Sequence, residues 1–265
     1  YIIFLYNNLN MKKFLKKLYI FFINKINPKT DISNYQINHY GTNYGGYDIV
    51  DSLDIKNVIS CGLGEDASFD VEIINKKNCI VYTVDPTPRA IKHYDQIKKK
   101  FGSKKNASYS IDGNQPINTY DLENINEKNF ILINRAMYDS SKSKIKLYQP
   151  LNDNYVSASI DQKKNYSQNF FYAEVITLDK IISEYQLEGI DLLKLDIEGS
   201  EIEVIYDFLK KNIYPKQLTV EFTHTRSLNL FDHLRIFFAD RKLKKNNYTL
   251  VFKNKKGDFT YIHEK

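Results

Sequence analysis

Val58-Ile59-Ser60-Cys61-Gly62-Leu63-Gly64-Glu65-Asp66-Ala67 opens a strand–loop–helix–strand unit whose second strand is Ile80-Val81-Tyr82-Thr83-Val84-Asp85. An apolar strand runs into two glycines, a helix is expected over 67–77, and the next strand ends on an acid. That is the grammar of a nucleotide-binding turn: glycines let the backbone approach the ligand, and the terminal acid can hold ribose hydroxyls. Gly62, Gly64 and Ala67 satisfy G-x-G-x-x-[GA], and Asp85, with Pro86 beside it, lies 23 residues beyond Gly62, close to the usual spacing.

The residues beside the glycines choose the ligand. A dinucleotide sets its pyrophosphate on the helix N-terminus, where free N–H groups and the helix dipole favour anions. Glu65 and Asp66 stand at that place, and two carboxylates would repel a pyrophosphate. They suit a ligand that carries a sulfonium and an ammonium, an adenosine ribose for Asp85, and no phosphate. S-adenosylmethionine answers that description. Its expected contacts are Gly62, Gly64, Glu65, Asp66, Asp85 and Pro86, with Ala136 beyond the third strand and Asp196 beyond the fourth.

A second stretch, Asp191-Leu192-Leu193-Lys194-Leu195-Asp196-Ile197-Glu198-Gly199-Ser200-Glu201, puts an apolar strand directly before a cluster of carboxylates. Open α/β sheets place their chemistry at such carboxyl ends. Between and around these two stretches, strands are expected at Phe130–Arg135, Lys144–Tyr148, Tyr172–Ile176 and Gln217–Phe222. Helices are expected over about 89–101, from Asp179, from Ser200 and over about 228–245. Residues 38–47 read as a Gly/Tyr-rich loop or short strand, and 102–128 as an irregular polar excursion. Ser200 and Glu203 have the spacing of a capping box. The chain closes with a β-hairpin, Tyr248–Phe252 and Phe259–His263. Alternating strands and helices closed by an antiparallel hairpin imply an α/β fold, a doubly wound, Rossmann-like class I methyltransferase sheet.

The 265 residues allow one sizeable α/β domain and a short appendage. We expect a basic, apolar helical extension over 1–37 and one domain over 38–265. Met11 followed by Lys12-Lys13 has the form of a natural start, which would make 1–10 upstream sequence. Residues 12–26 mix lysines with Phe14, Leu15, Leu18, Phe21 and Phe22, and two readings stand: a helix packed on the domain, or weak contact with an anionic membrane surface. The apolar runs are too short for a spanning helix and lack a signal-peptide cleavage site. A net charge of +6 spread over Lys-rich stretches, without a basic–aromatic stripe, does not suggest nucleic acid. Two cysteines, no CxxC pair and no H-x-x-x-H spacing point to a reducing, cytoplasmic setting and away from structural zinc.

The motifs also match a family. Leu192–Glu201 resembles the "lKlDIEGsE" signature of the FkbM-type S-adenosylmethionine-dependent methyltransferases, and Ile176-Thr177-Leu178-Asp179 the "TLD" before it. Gly62–Asp70 and Val84–Pro88 resemble a branch with "GxGEDxSFD" and "DPTP"; Tyr44–Tyr47 and Val156–Ser159 resemble its "YGGW" and "VSxS". The match covers roughly 38–262. Tyr47 stands where that branch has Trp, and 103–129 is longer than the pattern before strand three. The resemblance implies O-methylation of a hydroxyl, often on a sugar or natural product.

Methyl transfer needs in-line positioning of the acceptor oxygen and late removal of its proton. Asp196, Glu198 and His224 are the candidates for that work. Tyr44, Ser157, Ser159, Glu201 and Glu221 are candidates for the acceptor wall. Carboxylates holding a divalent metal would be a variant of the same site. Two other readings are a binding module without turnover and a nucleic-acid methyltransferase. As helix-terminus acids, Glu65, Asp66, Glu198 and Glu201 would have no chemical role.

Overall fold

The computed structural model describes residues 17, 21, 23, 25–31, 35–152, 157–160, 166–226, 229–254 and 256–264, without the side chains of 166, 224 and 226. A seven-stranded sheet carries the fold. Its strands are β3 (Asn57–Cys61), β4 (Ile80–Val84), β5 (Phe130–Ile133), β9 (Leu192–Leu195), β10 (Gln217–Glu221), β11 (Tyr248–Lys253) and β12 (Asp258–His263), in the order β11-β12-β10-β9-β3-β4-β5. Neighbours from β10 to β5 are parallel, whereas β12 runs antiparallel to both β10 and β11. The chain therefore winds outward from β3 to β5 and then returns to β9 on the other side of β3. That reversal opens a crevice outside the carboxyl ends of β3 and β9.

Strands buried on both faces need apolar residues at nearly every position, and β3 and β9 meet that demand except at the buried Ser60 and Lys194. One face of Ile59, Cys61, Leu193, Leu195, Leu218 and Val220 packs on residues of α3 (Leu178–Glu184), α4 (Glu201–Lys210) and α5 (Leu230–Lys245). The opposite face of Val58, Val81, Phe130 and Leu192 packs on α1 (Ser68–Lys77) and α2 (Pro88–Lys98). Toward β10 and β12 this second face turns polar, with Lys194, Gln217, Thr219 and Thr260 all buried. A hairpin of β1 (Ile37–Tyr40) and β2 (Tyr47–Val50) covers it. Gln217 Oε1 accepts from Val50 N at 2.6 Å, and Thr260 Oγ1 donates to Asp48 O at 2.6 Å. The segment read as a loop or short strand is thus half of that hairpin and half of its turn.

A three-stranded arm stands beside the crevice: β6 (Ala136–Met137), β7 (Lys144–Pro150) and β8 (Tyr166–Ile176), in the order β6-β8-β7. The strand expected near Tyr172 begins earlier because it pairs with β7 along its length. On β7, Ile145 and Leu147 are buried, while Lys146 lies over the rings of Tyr148 and Phe170. A basic–aromatic strip therefore exists where none was expected, because it joins residues of two strands more than twenty positions apart.

Two local expectations are corrected. Ser200 precedes α4 but makes no side-chain cap bond, and Glu203 pairs with Arg235 at 2.6 Å, so the capping box does not form. The strand before the carboxylates is not wholly apolar, since Lys194 sits in its centre and is 2% exposed. Most of the expected extension, including most of 12–26 and Met11, lies outside the described residues. Among the described residues no helix is long and apolar enough to cross a membrane.

Candidate functional site

A cavity of about 440 Å³ opens at the carboxyl ends of β3, β4, β9 and β10. Its floor is the loop after β3. Gly62 has φ +88°, and a Cβ there would lie 2.0 Å from Asp196 O. The glycine is therefore required twice, by a backbone angle that side chains disfavour and by close approach of the β9 loop. Gly64, at φ +55°, completes the turn.

Asp85 ends β4 and is 6% exposed. Its Oδ2 accepts from Leu63 N at 2.9 Å and Gly64 N at 3.0 Å; its Oδ1 accepts from Thr87 N at 2.8 Å and Thr87 Oγ1 at 2.7 Å. The acid expected to hold a ribose also shapes the glycine loop. Glu65 and Asp66 line the cavity with their oxygens engaged. Arg89, on α2, meets Glu65 through Nε at 3.0 Å and Nη2 at 2.6 Å. Asp66 accepts from Ser68 N at 2.9 Å, at the start of α1, and from Thr42 Oγ1 at 2.6 Å.

The far wall is the loop after β9. Asp196 and Glu198 both line the cavity, and Glu198 takes a left-handed φ of +52°, which a non-glycine residue adopts only when its surroundings hold it there. Ser159 does so in part, donating from Oγ to Glu198 O at 2.7 Å. Burial above all, then the charges of Asp196, Glu221 and Asp258, holds the Tyr47 hydroxyl well above its ordinary range. Burial likewise raises the carboxyl of Asp258, which faces Glu221 across β10 and β12. Glu201 is pushed up to about 7 by burial, against the bonds it accepts from Gly199 N at 2.9 Å and Thr223 Oγ1 at 2.8 Å.

The crevice thus gathers Gly62, Gly64, Glu65, Asp66, Asp85, Pro86, Ala136 and Asp196 from the expected cofactor set, and Tyr44, Ser157, Glu198 and Glu221 from the others. Ser159 and Glu201 are 1% and 2% exposed and stand behind the wall rather than in it: Ser159 Oγ donates to Glu198 O, and Glu201 Oε1 accepts from Gly199 N and Thr223 Oγ1. His224 lies in the 3-10 turn Thr223–Arg226, and its side chain is outside the described residues.

Sequence reasoning passed over Lys194, Lys256, Asp258 and Gly113, which also line the cavity. A lysine inside an apolar, doubly covered strand is a signal visible in sequence. The other three come from distant segments and are not. Gly113 belongs to the polar excursion: a Cβ there would meet the Tyr44 ring at 2.2 Å, and Gln115 N donates to Glu65 O at 2.9 Å. The excursion therefore closes one side of the cavity. Among the described residues no group of three or more His, Cys, Asp or Glu side chains is arranged to hold a metal ion.

Among the described residues, seven carboxylates line this space (Glu65, Asp66, Asp85, Asp196, Glu198, Glu221 and Asp258) against two lysines, Lys194 and Lys256. An acid-rich cavity of this size favours a small cationic ligand. No curated protein matches the chain. Among solved structures it is similar to M. jannaschii TYW2 in complex with AdoMet, at 10% identity over 88% of this chain and 87% of that one, with a TM-score of 0.28; a likeness this loose carries no argument. The model of the methyltransferase FkbM domain matches residues 49–250. That span takes in the glycine loop, the arm and both carboxylate-bearing strand ends, and the chain accordingly belongs to the FkbM methyltransferases, which draw their methyl group from S-adenosylmethionine.

Proposed function

We propose that the protein methylates a hydroxyl of a neutral, polyhydroxylated acceptor, such as a sugar unit of a glycan or of a glycosylated natural product. The observation that carries this reading is the carboxylate excess of the cavity. Carboxylates accept hydrogen bonds from sugar hydroxyls and repel uronates and phosphates, while the same charge attracts a sulfonium. S-adenosylmethionine, when bound, supplies an electrophilic methyl group. Gly62, Gly64 and Asp85 are the residues to hold its adenosine and methionine portions, and Asp66 adds negative potential beside them, the charge of Glu65 being paired with Arg89.

The acceptor side belongs to Asp196, Glu198 and Glu221. Asp196 lines the cavity with its side chain 32% exposed. Asp196 or Glu198 orients the acceptor hydroxyl and takes its proton as the oxygen reacts. Ile145 and Leu147 of the arm give the opposing wall an apolar surface, suited to the C–H face of a sugar ring. Ser159 and Glu201 act at one remove, by fixing the Glu198–Gly199 loop. A cytoplasmic setting fits the two cysteines, both free and buried.

A nucleic-acid acceptor is the second reading, favoured by Lys146 lying over Tyr148 and Phe170 on the arm, since aromatic and cationic groups together suit stacked bases. The test is transfer of a labelled methyl group from S-adenosylmethionine to neutral glycans, uronate-rich glycans and RNA in parallel. The proposal expects alkali-stable label on the neutral glycans. Label on RNA or on the uronates refutes it, and binding of S-adenosylhomocysteine with no label on any acceptor favours a module without turnover.

A further inference from the structure

We propose that Lys194 is a positioning residue of the cofactor site, whose buried ammonium ties the glycine loop of β3 to the Asp196 loop of β9. The inference rests on reading the cavity as the S-adenosylmethionine site. Lys194 pairs in register with Ser60, so its side chain leaves the sheet beside the end of β3 and on the polar face. There Nζ donates to Gly62 O at 2.6 Å and to Cys61 O at 3.3 Å. It stands 4.0 Å from Asp196 Oδ2 and 4.9 Å from the centre of the Tyr47 ring.

Packing alone does not account for a cation here. An ammonium taken from water is costly unless it is fully paired, and apolar packing in its place would avoid that cost where the whole polar group of partners were replaced with it. What the charge achieves is local order. It holds the Cys61 and Gly62 carbonyls on one side, so that the N–H groups of Leu63 and Gly64 point to Asp85. On the other side it faces Asp196, whose own carbonyl occupies the space a Gly62 Cβ would need. The two loops that form the cavity floor and wall thus share one cation, and the site is preorganised before any ligand enters.

The experiment measures S-adenosylhomocysteine binding by calorimetry, together with thermal melting, for wild type, Lys194→Met and Lys194→Gln. Lys194→Met, which leaves the Gly62 and Cys61 carbonyls without their donor, should melt below wild type and also bind roughly ten-fold more weakly, as the loss of a charged hydrogen bond predicts. Lys194→Gln, which keeps a donor for Gly62 O, should fall between the two in affinity. A merely structural lysine lowers melting but leaves the affinity of the folded protein unchanged, and that result overturns the proposal. If Lys194→Met does not fold, an unchanged affinity in Lys194→Gln overturns it equally. No binding by wild type would instead refute the cavity reading, and this proposal with it.

Discussion

Replacing Asp85 by Asn separates the two duties of that residue. The shape is kept and the charge is lost. An amide presents one oxygen, which can still accept from Leu63 N and Gly64 N. Its NH₂ then faces Thr87, where the hydroxyl can rotate to accept but the backbone N–H of Thr87 cannot. One buried donor is left without a partner, at about 1–3 kcal/mol, and the remaining bonds lose their charge assistance. We expect a loss of about 2–3 kcal/mol, or roughly 5–10 °C in melting temperature for a chain of this size. Affinity for S-adenosylhomocysteine should fall as well. Thr87→Val serves as the comparison: it removes one donor to Asp85 and the side-chain cap of α2, costing about 1 kcal/mol, and should bind almost as wild type does. Circular-dichroism melts and calorimetry read both quantities. Asp85→Asn with wild-type melting would refute the loop-shaping role. Equal loss of affinity in both variants would show that Asp85 acts only through the loop and not on the ribose.

Glu201 makes stability depend on pH. Its folded pKa of about 7 lies above the ordinary 4.5, so its burial is favourable below about pH 4.5 and that advantage is lost as pH rises through 7. Glu201→Gln, which keeps an acceptor for Gly199 N and Thr223 Oγ1, should therefore gain in melting temperature over wild type between pH 5 and pH 8; a difference that stays flat with pH counts against the buried carboxyl. Gly62→Ala, with its Cβ 2.0 Å from Asp196 O and φ at +88°, should cost more than about 3 kcal/mol and abolish S-adenosylhomocysteine binding, and a near-wild-type melt would contradict the observed approach of the two loops. Asp196→Asn and Glu198→Gln should melt within a few degrees of wild type, yet lose roughly 10²-fold in turnover if these carboxylates orient or deprotonate the acceptor. Full activity in both would reduce them to helix-terminus acids, and EDTA in the same assay tests the metal-assisted variant, since only a metal-dependent transfer stops.

The strand–loop–helix–strand unit, the acid closing β4 and the carboxylates after β9 were legible from residue order, because each rests on contacts a few positions apart. A short apolar run, a glycine at a left-handed turn and a helix that follows it are local physics, and that physics places β3, α1 and β4 almost to the residue. The family pattern is legible for the same reason, since it is written in short runs such as Leu192–Glu201. What the side chains of those runs do is not local. Glu65 reads as a bare acid until α2 brings Arg89 against it, and Asp85 reads as a ribose ligand alone until the loop folds back onto both its oxygens and gives it a second, loop-shaping duty. Asp191, at the head of the same run, turns out to pin β3 by accepting from Lys56 N and Asn57 N at 2.9 Å each. Ser159 and Glu201 look like acceptor contacts by position and are turned away by the arm and by α4. Lys194 is the sharpest case, a charge inside an apolar strand whose purpose depends on a carbonyl 132 residues earlier. Hydrogen-bond partners of buried polar groups are chosen by which segments the sheet order makes neighbours, and that order exists only once the chain has closed on itself.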